Sequence, residues 1–270
     1  MSQTASIQVT QASILKHHGG DGEVARERIT QNFEQRHDAA FWGFWDKQVA
    51  THYQAGDAIV DLGAGIGQFV QACAQRYPDA SVIGIEVAPY MLADPLELPR
   101  NGRIIVDDLN EPSAEIAPNS VAMVMANMVV HELTQPVKMF KAAHQWLKVG
   151  GRMCVIDVVR RPLRDYLQRR YPDTQMWCDE TTRADLEDAF EHFLEHNRYH
   201  PEDIVFMLES GGFKLISCEP LRDGVLRLAD GHGLRHLVGK DAGAGQQRPL
   251  VQPPATTDHQ QQGRQQRCQE

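Results

Sequence analysis

What this chain lacks narrows its class before any motif is read. Its five cysteines, Cys73, Cys154, Cys178, Cys218 and Cys268, are widely spread with no C-x-x-C pair, so neither a disulfide framework nor a cysteine zinc site is expected. No apolar run reaches the ~18 residues of a membrane span. The opening Met-Ser-Gln-Thr-Ala-Ser has no basic stretch followed by an apolar one, and the expectation is a cytoplasmic protein with no membrane partner. Positive charge is also scarce: 27 Lys and Arg against 36 Asp and Glu give a net charge of −9, which argues against a phosphate-backbone footprint and so against DNA. What is present, 42% hydrophobic residues over 270 positions, suits one large α/β domain with a full core.

Residues 1–28 are polar and weakly patterned, and are expected to be a flexible N-terminus. Between residues 29 and 55, Phe33, Phe41, Trp42, Phe44, Trp45 and Val49 recur at near-helical spacing. This predicts a helix that either caps a pocket or packs on a sheet edge. Strands then alternate with helices: strands at 59–62, 81–85, 104–106, 121–126 and 152–156, helices at 68–77 and 136–147, the latter stopped by Gly150-Gly151. After residue 158 the alternation lapses into a helical insertion to about residue 200. It resumes with a helix opened by Pro201-Glu202-Asp203 and two strands, Phe213–Cys218 and Val225–Leu228. The pattern predicts a doubly wound, Rossmann-like, mostly parallel seven-stranded sheet with an antiparallel last strand and helices on both faces, spanning residues 29–239. Residues 240–270 hold nine glutamines and no Phe, Trp or Tyr among the last thirty positions; such a tail is expected to be disordered and functionally silent.

The most informative stretch is Ile59 to Gly67, Ile-Val-Asp-Leu-Gly-Ala-Gly-Ile-Gly, an apolar strand running into a glycine-rich turn. A turn of this kind lets backbone pass close to a ligand. A dinucleotide fingerprint is disfavoured, because G-x-G-x-x-G needs glycine where Gln68 stands. Asp61 would also repel a pyrophosphate, whereas it suits an ammonium group. Glu86 ends the second strand where doubly wound folds place an acid for ribose hydroxyls.

This stretch resembles motif I of the class I S-adenosylmethionine-dependent methyltransferases, and Leu147 to Asp157 resembles the family's segment leading through strand five. The resemblance covers about residues 55–160 and 200–230. It implies S-adenosylmethionine as cofactor, with Asp61 facing the methionine ammonium, Gly63 and Gly65 making room, and Glu86 on the ribose. It also implies an acid after strand three for the adenine amine, with the next backbone N–H on a ring nitrogen. Asp107 and Asp108 compete for that role; Asp108 is favoured because apolar Leu109 follows it. The family's acid before strand four is replaced by Ser120-Val121-Ala122, a position that is not a ligand.

Asn127 to Glu132 follows strand four, where methyl group and acceptor should meet. Asn127 is expected to touch the cofactor, and it is followed by Met-Val-Val, unlike the Pro-Pro-aromatic loop of enzymes that methylate exocyclic amines of nucleic acids. Asn127 and Asp157-Val158 do not supply the acidic set of metal-dependent relatives, so no metal is expected. His131 is the candidate general base, since imidazole titrates near neutrality; the competing reading is a histidine that only shapes the pocket. Glu132 is expected to anchor a helix start. The 158–200 insertion is expected to supply the acceptor pocket, with Arg160, Arg161 and Arg164 either pairing with a substrate anion or forming a solvated face. Tyr166, Tyr171, Trp177, His192, His196 and Tyr199 are candidate walls, and His17-His18 reads as a plain helix face. The sequence thus points to methyl transfer onto a small molecule, through oxygen, nitrogen, sulfur or carbon. A protein or RNA acceptor and a non-catalytic cofactor-binding protein are the alternatives, and oligomeric state is not legible.

Overall fold

The structure, a computed structural model, describes residues 3–170, 187, 190, 191, 193, 194, 199–220 and 233–241. Its centre is a seven-stranded sheet: β1 Ala58–Leu62, β2 Ser81–Glu86, β3 Gly102–Val106, β4 Val121–Asn127, β5 Leu147–Val158, β6 Lys214–Pro220 and β7 Gly233–Gly239. The spatial order is β3-β2-β1-β4-β5-β7-β6. The first five strands run parallel, and β7 is antiparallel to both β5 and β6. The expected fold class is therefore the observed one. The closing strand, however, lies at Gly233–Gly239, while the expected Val225–Leu228 falls outside the described residues, as does nearly all of the expected tail.

Every residue of β1 is buried, as a central parallel strand covered on both faces requires. Successive side chains alternate between two cores. Val60 and Leu62 join Met139, Phe140 and Trp146 of the helix α7, Pro136–Trp146. Ile59 faces the other way, toward Phe69, Val70 and Cys73 of α5, Gln68–Arg76. Burial of one Val, Leu or Phe side chain contributes about 1.5–3 kcal/mol, so each helix is fixed mainly by this apolar face. The helix Pro201–Ser210 begins with proline in its first turn and a reciprocal cap between His200 and Asp203, as its sequence predicts.

The chain before β1 differs from the expectation. Residues 3–17 form α1, Gln3–His17, and residues 22–31 form α2, Gly22–Gln31, capped by Asp21 accepting from the Glu23 and Val24 amides. Both lie where a flexible terminus was expected. The 29–55 segment is not one helix: after α2 come α3, Phe33–Arg36, and α4, Ala39–Phe44, then a π-helical turn, Trp45–Val49, and a 3-10 turn, Ala50–His52. The breaks divide its labour. Phe41, Trp45 and Val49 pack into the core, whereas Ile29, Asn32, Phe33, Arg36 and His37 face a cavity.

The β1 and β4 strands leave the sheet centre in opposite directions of strand order, which opens a crevice at their carboxyl ends. The ends of β1, β2, β4 and β5 carry Asp61, Glu86, Asn127 and Asp157. No helix among the described residues is long and apolar enough to cross a membrane.

Candidate active site

A cavity of about 670 Å³ lies in this crevice, roofed by α1, α2 and α3. It brings together Asp61, Gly63, Gly65, Glu86, Asp107, Asp108, Leu109, Asn127 and His131, the residues singled out in the sequence.

The turn after β1 is shaped by glycine. Gly63 has φ +75, and a Cβ there would stand 2.8 Å from Val129 Cγ2. Gly65 has φ +56, and the nearest atom to a Cβ there is Ile29 Cγ2 at 3.9 Å, so a side chain would project into the cavity. The Gly65 amide donates to Glu86 Oε2 at 2.7 Å, and the amides of Val87 and Ala88 donate to Oε1 at 2.8 and 2.7 Å. A carboxylate has about four acceptor sites, so Glu86 is fixed in place with capacity left for a hydroxyl. Burial pushes the Glu86 carboxyl upward against those amides. Burial, then the charge of Glu86, pushes Asp61 up to about 8. Two acids face one small volume, and an ammonium placed between them would favour the ionised form of both.

The structure separates the two aspartates after β3. Asp107 turns back into the chain, accepting from the Ser113 and Ala114 amides, each at 2.8 Å, and from the Ser113 hydroxyl at 2.6 Å. Asp108 accepts from the Asn110 amide at 2.9 Å and, through Oδ2, from the Thr10 hydroxyl of α1 at 2.7 Å. Asp107 is thus a loop fastener, and Asp108 is the acid reached from the roof.

On the other side of Asn127 the geometry opposes one expectation. His131 Nδ1 lies 2.6 Å from Asp157 Oδ1 and its Nε2 lies 3.1 Å from Glu132 Oε1. Burial disfavours the imidazolium, but Asp157 and then Glu132 more than offset this and raise His131 to about 10. Such a histidine is already protonated near neutrality and is not placed to act as a base. Glu132 does not anchor a helix start; it lies in the cavity wall. Burial alone would raise its carboxyl, but the His131 charge holds it well below the usual range. His17 Nδ1 lies 2.7 Å from Glu132 Oε2 and His18 Nε2 3.6 Å from Oε1. The pair expected on a plain helix face therefore ties α1 to the site.

The neutral imidazole here is His37. Its Nδ1 donates to the Phe33 carbonyl at 3.1 Å, and its Nε2 faces Asn127 Nδ2 at 3.4 Å. Burial, with help from the Arg36 charge, lowers its pKa to about 4. Phe33, Phe41 and Phe69 surround the ring at centroid distances of 4.4, 4.7 and 5.2 Å. Asn127 Oδ1 is buried without a hydrogen-bond partner, an orphan acceptor at the junction of the two halves of the cavity.

Comparison with known proteins bears on the family. A family model described as a methyltransferase domain matches residues 60–155. The match supports the class I S-adenosylmethionine-dependent methyltransferase family that the sequence resembles. It is 28% identical over 187 residues to an arsenite methyltransferase of Halobacterium salinarum, covering 67% of this chain and 44% of that one. It is 22% identical over 232 residues to phosphoethanolamine N-methyltransferase 1 of Triticum aestivum, covering 83% and 40%. The chain spans less than half the length of either relative. A solved S-adenosylmethionine-dependent methyltransferase from Aquifex aeolicus shares the fold with a TM-score of 0.53 at 12% identity, covering 81% of this chain and 97% of that one.

S-adenosylmethionine, the cofactor of that family, fits the residues present. The space in front of Gly65 would be filled by any side chain, the Asp61 carboxyl faces the charge of Glu86, and Asn127 Oδ1 lacks a donor. Among the described residues, no group of three or more His, Cys, Asp or Glu is arranged to hold a metal ion.

Several expected residues lie elsewhere. Arg160 stacks on the Phe193 ring with its guanidinium 4.9 Å from the centroid, and none of Arg160, Arg161 and Arg164 lines the cavity. Tyr166 packs with Leu167 and Phe193 in a separate cluster, and Tyr199 lies 3.5 Å from the Leu133 carbonyl, outside the cavity lining. Tyr171, Trp177, His192 and His196 fall outside the described residues. Sequence reasoning missed Thr10, Arg28, Arg36 and His37, all before β1. The one available signal was the aromatic run itself, whose breaks at Asn32 and His37 turn polar residues inward.

Proposed function

We propose that this protein transfers a methyl group from S-adenosylmethionine to a small-molecule acceptor held in the same cavity. The observation that carries the reading is the continuity of that cavity. It runs from the acids of β1 and β2, past Asn127, to His37 and the His131–Glu132 pair. Its volume of about 670 Å³ lies in the range of small-ligand sites, roughly 300–1,000 Å³. Phe41, Trp45 and Tyr166, which would seal the acceptor side in a non-catalytic protein, pack into other clusters.

When bound, the cofactor supplies an already activated methyl group on a sulfonium. What remains for the chain is alignment and exclusion of water, which in oriented systems is equivalent to effective molarities up to roughly 10⁵–10⁸ M. Asp61 and Glu86 hold the cofactor by its ammonium and ribose, and Asp108 and Leu109 by its adenine. Asn127 Oδ1 accepts a hydrogen bond that orients an acceptor N–H or O–H, and His37, whose Nε2 faces Asn127 Nδ2, holds that amide in place. The His131 imidazolium, fixed by Asp157, keeps Glu132 ionised beside His17 and His18, so that the acceptor wall has a defined charge. No cysteine lines the cavity among the described residues; Cys73 and Cys154 are buried in the core and Cys218 is exposed.

The test is mass spectrometry of metabolites incubated with the purified protein and S-adenosylmethionine, searching for pairs that differ by one methyl group. Formation of such a pair together with S-adenosylhomocysteine is expected. Extracts that yield neither product would overturn the reading.

A further inference from the structure

Three lysine or arginine side chains line the cavity: Lys16, Arg28 and Arg36. Lys16 pairs with Glu191 at 2.9 Å. Arg28 and Arg36 have no carboxylate within ion-pair distance among the described residues, although nearby Arg26 pairs with Asp94 at 3.0 Å. Arg36 is half-buried, and its Nε is buried with no hydrogen-bond partner. Burial and then the Arg28 charge lower the Arg36 guanidinium from its ordinary value. Two guanidinium groups held near each other beside a cavity repel, and a buried guanidinium N–H without an acceptor is costly. Both costs disappear when an anion sits between them.

Position says whose anion it is. Arg28 and Arg36 line the cavity together with Asn32, Phe33 and His37, and His37 Nε2 faces Asn127, so the pair lies on the acceptor side. The charge acting on Asp61, where the cofactor's amino-acid end belongs, is that of Glu86 and not of an arginine. The cofactor half, with Asp61, Glu86 and Asp108, would repel an oxyanion. Arg28 is exposed and Arg36 half-buried, an arrangement that places the anion at the mouth with the rest of the acceptor reaching inward.

We infer that Arg28 and Arg36 seat an oxyanion, a phosphate or a carboxylate, carried by the methyl acceptor; this rests on the methyltransferase reading above. Guanidinium forks match both groups in geometry, and charged hydrogen bonds of this kind are the strong ones.

The experiment is calorimetric titration of the full chain, first with S-adenosylhomocysteine and then, with that site saturated, with inorganic phosphate and with malonate. The saturated wild type is expected to bind at least one oxyanion probe. Preference for phosphate marks a phosphate-bearing acceptor, and preference for malonate a carboxylate-bearing one. Arg28→Gln and Arg36→Gln should each weaken that binding about tenfold or more, with S-adenosylhomocysteine affinity unchanged and Arg36→Lys recovering part of the loss. Wild type that binds S-adenosylhomocysteine but neither probe overturns the inference alone. A fall in S-adenosylhomocysteine affinity in Arg36→Gln also overturns it, by assigning the arginine to the cofactor's carboxylate. Wild type that does not bind S-adenosylhomocysteine overturns the methyltransferase reading itself.

Discussion

His131 Nδ1 stands 2.6 Å from Asp157 Oδ1, and Asp157 also accepts from the Val130 amide at 2.7 Å. The carboxylate at the end of β5 therefore holds both the imidazole and the turn that carries it. Breaking a buried pair of this kind costs about 3–5 kcal/mol, because the partner is left charged and unpaired. Replacing His131 by Ala should lower stability by about that amount, measured by denaturant unfolding. A loss below about 1 kcal/mol would show that the pair is not the anchor described.

The same pair sets a pH dependence. His131 is raised from 6.5 in the unfolded chain to about 10 in the folded one. Its stabilising contribution is complete below pH 6.5 and is lost as pH rises through about 10. Denaturant midpoints of the wild type should fall between pH 7 and 10 more steeply than those of His131→Gln. Equal slopes in the two proteins would contradict a protonated His131.

Asp61 makes an opposite kind of prediction, about binding. Its carboxyl is pushed up to about 8 by burial and by Glu86, and an ammonium placed beside it favours the ionised form. Cofactor binding between pH 6 and 7.5 should therefore release a proton and strengthen as pH rises. Calorimetry in two buffers of different ionisation enthalpy measures the proton count, and Asp61→Asn should abolish the release.

The neighbouring aspartates should separate cleanly. Asp108→Ala should weaken S-adenosylhomocysteine binding about tenfold with a small change in melting temperature. Asp107→Ala leaves the Ser113 and Ala114 amides without their acceptor, and should lower stability by roughly 1–3 kcal/mol while affecting affinity less. Titrations and melts of the two variants with the pattern reversed would exchange their roles.

His37 should matter without imposing a pH limb near neutrality. With its pKa lowered to about 4, kcat should not fall through this residue between pH 6 and 9. His37→Ala should reduce kcat/KM by about tenfold, the worth of one hydrogen bond, because the Asn127 amide loses the partner that orients it. A wild-type profile falling near pH 6.5 and flattened in His37→Ala would instead make His37 a titrating base.

The parts of this molecule legible in its sequence are those fixed by local pattern. Ile59, Val60 and Leu62 alternate between two cores around Asp61, and Gly63 and Gly65 adopt the positive φ that only glycine takes without strain. The site residues at strand ends follow from that register. The rest depends on contacts distant in the chain. Nothing near His131 in sequence announces Asp157, 26 residues on, yet that contact turns a candidate base into a fixed cation. α1 carries little amphipathic pattern, and its place is set by Thr10 on Asp108, Gln11 on the Val87 carbonyl and His17 on Glu132. Polar contacts of this sort leave no periodic apolar signature. Gly233–Gly239 does not read as a strand because Arg235 and His236 interrupt its apolar positions.

The central claim is that the turn after β1 receives S-adenosylmethionine, and Gly65→Arg tests it most directly. A side chain at residue 65 would enter the cavity. Calorimetric titration with S-adenosylmethionine should show binding to the wild type and none to Gly65→Arg, with circular dichroism confirming that the variant is folded. Undiminished affinity in the folded variant would contradict the account.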